Sequence, residues 1–271
     1  MSIYIFYLSL SIYLLSTVFY LLYLILYKKI IEQIGYYTLL SGFIAHLFST
    51  LLRYMEAGYT PITNFHEALS FFALCIVCVF IYIKKKYRID TIGSIILPSI
   101  SLLLIWASFY PSDIKPLPPV LKSYWLPIHT IFSFLGNAIF FTGFFISIVY
   151  LITERSIKKK KLSALSRRFP SLETLDAINY RCIAYGFPFL TIGIISGSIW
   201  AGFAWGSYWS WDPKETWSLI TWIVYAILIH NRLAIGWRGK KTAYMMIIGF
   251  FSILFTFFGV NLLLGGLHAY L

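Results

Sequence analysis

Charge is what this sequence has least of. Only 12% of its 271 residues are charged and 59% are hydrophobic, whereas soluble domains carry about twice that charged fraction. A water-soluble globular fold is therefore excluded. Acidic residues are the scarcest, 10 against 22 basic, and nearly all fall in loops or at the ends of apolar runs. A transporter built on buried acid–base relays is disfavoured for the same reason. Cysteine is also rare, with three residues. Cys75 and Cys78 form a C-x-x-C spacing, but they fall mid-span without a cation to activate a thiol, and no redox role is expected of them. Cys182 reads as a small apolar residue. No basic leader precedes the first apolar run and no small-residue cleavage site follows it, so residues 3–27 are expected to be a retained span. Internal repeats and low-complexity segments are absent.

What is present is a series of apolar runs. A transmembrane helix needs roughly 20 mainly apolar residues, and eight stretches meet that need: 3–27, 34–53, 66–83, 91–109, 126–152, 182–203, 215–235 and 243–265. The expected fold is an all-α polytopic membrane protein, a single helical domain of about eight spans over residues 1–271. Of the 22 basic residues, only Arg53, Lys115, Lys122 and Lys214 fall outside one alternating set of loops. The positive-inside rule places that set on the cytoplasmic or equivalent side, and both termini then face outward, to the periplasm or lumen. The net charge of +12 is a topology signal on this reading, with no nucleic-acid partner implied. The longest inner loop, 154–181, joins a lysine run to a Leu/Ile pattern at helical spacing. It reads as an anchor on anionic lipid with an interfacial helix leading into span 6.

Histidine beside a membrane span is costly and marks a functional candidate. There are five. His129, in "YWLPIHTIF", and His268, in "GGLHAYL", are threaded to the outer face. His46 and His230 fall inside spans 2 and 7, at depths that permit one ligand to bridge them; a pair of unrelated packing histidines is the alternative. His66, in "PITNFHEALSFF", reads as structural, with Asn64 as helix cap and Glu67 favouring the helix dipole.

Six of the nine tryptophans lie between Trp200 and Trp222, around "WAGFAWGSYWSWDPKETW" (200–217). An interfacial aromatic belt would spread Trp over all helix ends; this cluster occupies one junction. Trp205, Tyr208, Trp209 and Trp211 offer flat surface, and Gly202 and Gly206 let the backbone approach a ligand. Asp212, Pro213 and Glu215 read as a helix start, and that N-terminus with Lys214 is also suited to a carboxylate such as a haem propionate. Two imidazoles at an aromatic cleft suit haem, which takes an axial ligand on each face. Zinc would need three or four protein ligands, and no further Cys, Asp or Glu cluster falls on that face.

"WGSYWSWDPKE" resembles the W-G-x-x-W-x-W-D signature of membrane haem-handling proteins. "LLRYMEAGYTPITNFHEAL", "LDAINYRCIAYGFPFLTIGIISGSIWA" and "GVNLLLGGLHAYL" resemble the CcsA/ResC family, the integral-membrane component of the system II cytochrome c synthase. The resemblance covers about residues 36–271. It implies a protein of the bacterial inner membrane or thylakoid membrane that moves haem b to an outer site and presents it to the C-x-x-C-H motif of apocytochrome c. His129 and His268 match the family's outer axial ligands, and His46 and His230 its transmembrane ligands to a second haem. A CcsB/ResB-type membrane partner and thioredoxin-like thiol reductants are implied as well. His66 departs from the family pattern, in which Tyr is common. A haem chaperone that delivers haem to a carrier without catalysing attachment is the alternative activity.

Overall fold

The computed structural model describes residues 1–118, 121–160 and 166–264. Among these residues there is no strand, and eight helices are long and apolar enough to cross a membrane. They are α1 (Ser2–Leu26), α2 (Lys29–Ala57), α3 (Phe65–Tyr87), α4 (Gly93–Ser108), α5 (Trp125–Lys158), α6 (Leu172–Trp205), α7 (Pro213–His230) and α8 (Lys240–Leu254). The chain is a multi-pass integral membrane protein. Two helices widen into π-helix at their ends, α7 over Asn231–Ile235 and α8 over Phe255–Leu264. Local chemistry sets several boundaries. Asn64, Ser171 and Asp212 each cap a helix start through a side-chain oxygen, and Tyr27, Gly58, Arg88 and Gly206 end helices in the left-handed conformation.

The stretch expected to form an interfacial helix before span 6 is the first part of α6 itself. That helix runs unbroken for 34 residues from Leu172. Lysines 158–160 end α5 and its following turn, while residues 161–165 lie outside the described residues.

The helices form two compact units. The first contains α1–α4 and the segment Ser156–Pro170. Its α1 and α2 pack antiparallel through a seven-residue repeat: Tyr13 lies against Gly42 and Tyr20 against Gly35, where an added Cβ would come within 3.1 Å of each ring. Small residues in this register let the helices approach closely, the usual device where lipid supplies no hydrophobic driving force. One end of the unit carries a closed ring of charges. Lys84 bonds Glu32 at 2.5 Å and Asp90 at 2.6 Å, and Lys29 bonds the same two carboxylates at 2.7 and 2.6 Å. Arg168 caps the last turn of α1 at its Leu24 and Ile25 carbonyls. At the opposite end, Arg53 donates to Glu67 at 2.9 Å, and Glu67 accepts from both the amide and the hydroxyl of Thr63.

The second unit contains α5 through Arg155 and α6–α8. Its core is aromatic and close-packed, with Phe140 stacked on Tyr225 at 3.5 Å. At one end, Arg232 grips Asp176 through two bonds of 2.9 and 2.7 Å and lies over the Tyr180 ring. Asp176 also accepts the Gly239 amide at 2.6 Å, which fixes the turn between α7 and α8. At the other end are the start of α5, the end of α6 and the start of α7, where the tryptophans gather.

Candidate functional site

His129 sits in the first turns of α5. Its Nδ1 is 2.7 Å from the carbonyl of Gly193 on α6. A carbonyl only accepts, so Nδ1 carries the proton and the lone pair of the neutral ring is on Nε2. Metal-binding histidines are commonly held in this way, with the second ring nitrogen donating to a backbone oxygen. The ring lies nearly parallel to Trp200, at 13° and 6.3 Å between centroids. Gly197 makes that position available: a Cβ there would stand 2.5 Å from Nδ1 of His129. An alanine at 197 cannot coexist with the imidazole where it is.

The aromatic segment follows in the same unit. Trp200 is buried against Trp205, edge to face at 5.7 Å. Gly206 then ends α6 at φ 76°, a conformation that costs glycine nothing. Tyr208 folds back so that its ring fills the space beside Gly202, where a Cβ would lie 2.7 Å away, and its carbonyl accepts from Ser198 at 2.7 Å. The open side of Gly202 is thus taken by a ring of the loop itself. Trp209 and Trp211 meet edge to face at 5.8 Å. Trp211 holds φ 59°, an uncommon backbone for a bulky residue, with a cost of order 1–3 kcal/mol. Its side chain is 70% exposed and that of Tyr208 68%, so the loop presents aromatic surface outward instead of consuming it in the core.

Asp212 caps α7 by accepting from the Lys214 amide at 3.0 Å, with Pro213 in the first turn. Glu215 reaches back to the amide of Ser210 at 2.8 Å, two residues earlier than a capping box would place it. One amide donor at this helix start is therefore already used by Asp212. The π-helical end of α8 also approaches this region. Phe255 packs on Trp217 at 4.1 Å, and Thr256 donates to the Trp217 carbonyl. His268 lies outside the described residues.

The remaining histidines are differently placed. His230 is the last residue of α7 and is exposed, in the second unit. His46 belongs to the first unit and is fully buried between Phe6 and Tyr13. Its Nε2 bonds Ser70 at 2.9 Å and its Nδ1 has no hydrogen-bond partner. His66 donates from Nδ1 to the Ala107 carbonyl at 2.9 Å and joins α3 to α4, the structural role its sequence context suggests. Cys75 is buried and Cys78 exposed, and neither forms a disulfide.

The sequence matches the family described as Cytochrome C assembly protein over residues 62–268. It is 39% identical to the cytochrome c biogenesis protein CcsA of Guillardia theta, with 91% of this chain and 89% of that protein aligned. The CcsA proteins of Trieres chinensis, at 36% over 90% and 88%, and of Chlamydomonas reinhardtii, at 42% over 81% and 63%, match similarly. The chain belongs to the CcsA family. Its fold is also that of the solved cytochrome c haem lyase CcmF, with a TM-score of 0.66 and 16% identity. It covers 95% of this chain and 46% of CcmF, so the likeness concerns architecture alone. As a CcsA-family protein the chain functions in cytochrome c biogenesis, and the histidines and tryptophans singled out by its sequence belong to the part of the chain that carries the family pattern, His46 excepted.

Two features of this CcsA-family chain escaped sequence reasoning. Arg53, Lys84, Glu32 and Glu67 are assigned to loops or helix ends by their charge, yet all four are buried in ion pairs of the first unit. Their spacing carries no signal, because the partners lie on different helices. Gly197 was missed as well; it stands four residues after Gly193 on the α6 face that receives His129, a pattern legible only once α5 is known to pack there.

Proposed function

We propose that the chain presents haem at the aromatic end of the second unit for covalent attachment to apocytochrome c, as the membrane component of a haem lyase. His129 and His268 would bind the iron from opposite faces, while Trp205, Gly206, Tyr208, Trp209 and Trp211 flank the macrocycle. Lys214 would pair with a propionate, and Asp212 holds the start of α7 in place. The observation that carries this reading is the fixed tautomer of His129, with Nδ1–H committed to Gly193 and the lone pair on Nε2. Family membership and the exposed rings of Tyr208 and Trp211 support it.

Haem b is the substrate here. Its two vinyl groups accept the two thiols of a reduced C-x-x-C-H segment, one thioether forming at each. The protein's contribution is position: a ligated, sandwiched macrocycle exposes its edge in one orientation, and alignment alone supplies much of what such a catalyst offers. His46 and His230 would hold a second haem within the membrane. The aromatic end would face the periplasm or thylakoid lumen, with both termini on that side, and thioredoxin-like proteins would keep the substrate thiols reduced.

Among the described residues of the second unit, the loop between α6 and α7 is short and is itself the proposed haem platform, so it cannot also grip an unfolded polypeptide. In the first unit, the stretch after α4 runs without regular structure over 111–116 and is held down where Tyr59 donates to the Lys115 carbonyl and Tyr110 packs on Phe65. A CcsB/ResB-type partner would supply that grip. The test is co-expression with an apocytochrome in a host lacking its own maturation system. With the partner, covalent attachment is expected; with this chain alone, attachment is expected to stay at background. Normal attachment by the chain alone would overturn the partner requirement, and no attachment with any such partner would overturn the lyase reading.

A further inference from the structure

Among the described residues, four that are not glycine hold positive φ: Tyr27, Arg88, Lys160 and Trp211. The first two close α1 and α3, and Lys160 lies in the turn after α5, places where a left-handed residue satisfies the last carbonyls of a helix. Trp211 has no such reason. It precedes a helix, and a bulky side chain at φ 59° is an outlier there. Backbone in that region persists only where its surroundings over-determine it.

Those surroundings are the first turn of α7, where two residues are turned from their ordinary tasks. With Asp212 as the cap, the side chain of Glu215 would usually accept from the Asp212 amide, and an apolar residue at 216 would usually pack against Trp211. Instead, Glu215 Oε2 accepts the Ser210 amide at 2.8 Å and the Ser210 hydroxyl at 3.2 Å. Position 216 is a threonine whose hydroxyl donates to the Trp211 carbonyl at 3.3 Å. Trp211 is therefore tied on both sides, through the residue before it and through its own carbonyl. No apolar partner at 216 covers the indole, and Trp211 stays 70% exposed, edge to face with Trp209.

A strained backbone and an exposed indole both work against stability, so folding explains neither. Strain of this kind clusters at ligand clamps whose shape is set before the ligand arrives. We propose that Glu215 and Thr216 are positioning residues: they hold Trp211 in the left-handed conformation so that its indole stands as a fixed face for a flat apolar ligand, the haem macrocycle. The identity of the ligand rests on the haem-presenting function proposed for this end of the second unit; the brace rests on the loop's own hydrogen bonds. A ring already held in place loses little freedom on binding, so the brace acts on affinity. The charge of Glu215 is not what the brace uses, because a glutamine oxygen at the same place accepts the same two bonds.

The test begins with the haem-free, detergent-solubilised chain labelled with ¹⁵N-tryptophan, in which Trp211→Phe identifies the Trp211 indole resonance. Glu215→Ala and Thr216→Val should each shift that resonance, and Glu215→Gln should leave it near its parent position. Haem is then titrated into the same proteins, the share of the outer site being the uptake that His129→Ala removes. Glu215→Ala should weaken that share about tenfold, the change expected from losing a hydrogen bond to a charged group, and Glu215→Gln should bind like the parent. Trp211→Gly should bind haem as poorly as Glu215→Ala yet unfold at no lower temperature than the parent, because glycine adopts a positive φ without strain. A resonance unmoved in both Glu215→Ala and Thr216→Val, a Glu215→Gln variant as impaired as Glu215→Ala, or a Trp211→Gly variant that unfolds at lower temperature would overturn the brace. A parent chain whose haem uptake is untouched by His129→Ala would instead overturn the outer haem site on which the choice of ligand depends, a distinct result.

Discussion

His46 and His129 each commit one ring nitrogen to a partner on a neighbouring helix, and they differ in what that leaves. His129 gives Nδ1–H to a main-chain carbonyl, which leaves the lone pair of the neutral ring on Nε2, and its ring lies parallel to the buried Trp200. His46 gives Nε2 to a side-chain hydroxyl and is sealed among Phe6 and Tyr13. The same contrast runs through their units. The first is held by buried ion pairs and close tyrosine–glycine packing, and its polar groups serve one another. The second buries Trp200 against Trp205 and leaves Tyr208 and Trp211 exposed in the loop that follows. The hydrogen bond alone does not separate a packing histidine from a candidate ligand, since His66 gives Nδ1 to the Ala107 carbonyl as His129 does to Gly193; what differs is the surroundings, His66 being buried against Phe6 and His129 half-buried in the unit that carries the exposed aromatic loop.

The sharpest way to break that contrast is His129→Ala. Cytochrome c maturation in cells should fall to background while the chain still accumulates in the membrane, and added imidazole should restore part of it by filling the vacated ligand position. Arg53→Met should do the reverse. It strands the Glu67 carboxylate inside the first unit, and breaking a buried pair costs about 3–5 kcal/mol. Thermal unfolding of the solubilised protein should move to clearly lower temperature, with any haem spectrum of the folded fraction unchanged. Gly197→Ala tests whether His129 is positioned by α6. A Cβ at 2.5 Å from Nδ1 must push the ring off Gly193, and maturation should drop by about 10- to 100-fold, the usual effect of disturbing a ligand's outer partner. The smallest effect is at Asp212. Asp212→Ala removes a helix cap worth about 0.5–2 kcal/mol, whereas Asp212→Asn keeps a capping oxygen. If Asn fails as fully as Ala in the maturation assay while the protein accumulates, the charge itself is required and the capping role is insufficient.

Hydropathy alone located all eight spans, because a lipid-facing helix must be apolar along its whole length and that signal is written in one stretch of sequence. The cap at Asp212 and the cap at Asn64 were equally legible, since each depends on residues a few positions apart. The division into two units was not, and neither was the interior of the first. Which helix receives Arg53 or Lys84 depends on packing between distant segments. The histidines show both sides of this. His66 reads as structural from its neighbours in the chain, and its Nδ1 bond to the Ala107 carbonyl ties α3 to α4. For His46, sequence indicates a buried imidazole but not Ser70, which lies one helix away. The helix expected to lead into span 6 is continuous with it, because helical periodicity shows that a segment is a helix, not where the helix that follows begins.

The central claim is that His129 takes haem at the aromatic end of the second unit, and a visible absorption spectrum of the chain purified after haem-replete expression tests it most directly. The account predicts a Soret band with low-spin bis-histidine features, and a fall in haem per chain when His129 and His268 are both replaced by alanine. A chain without a Soret band, or a double variant with the same spectrum and the same haem content, would contradict it.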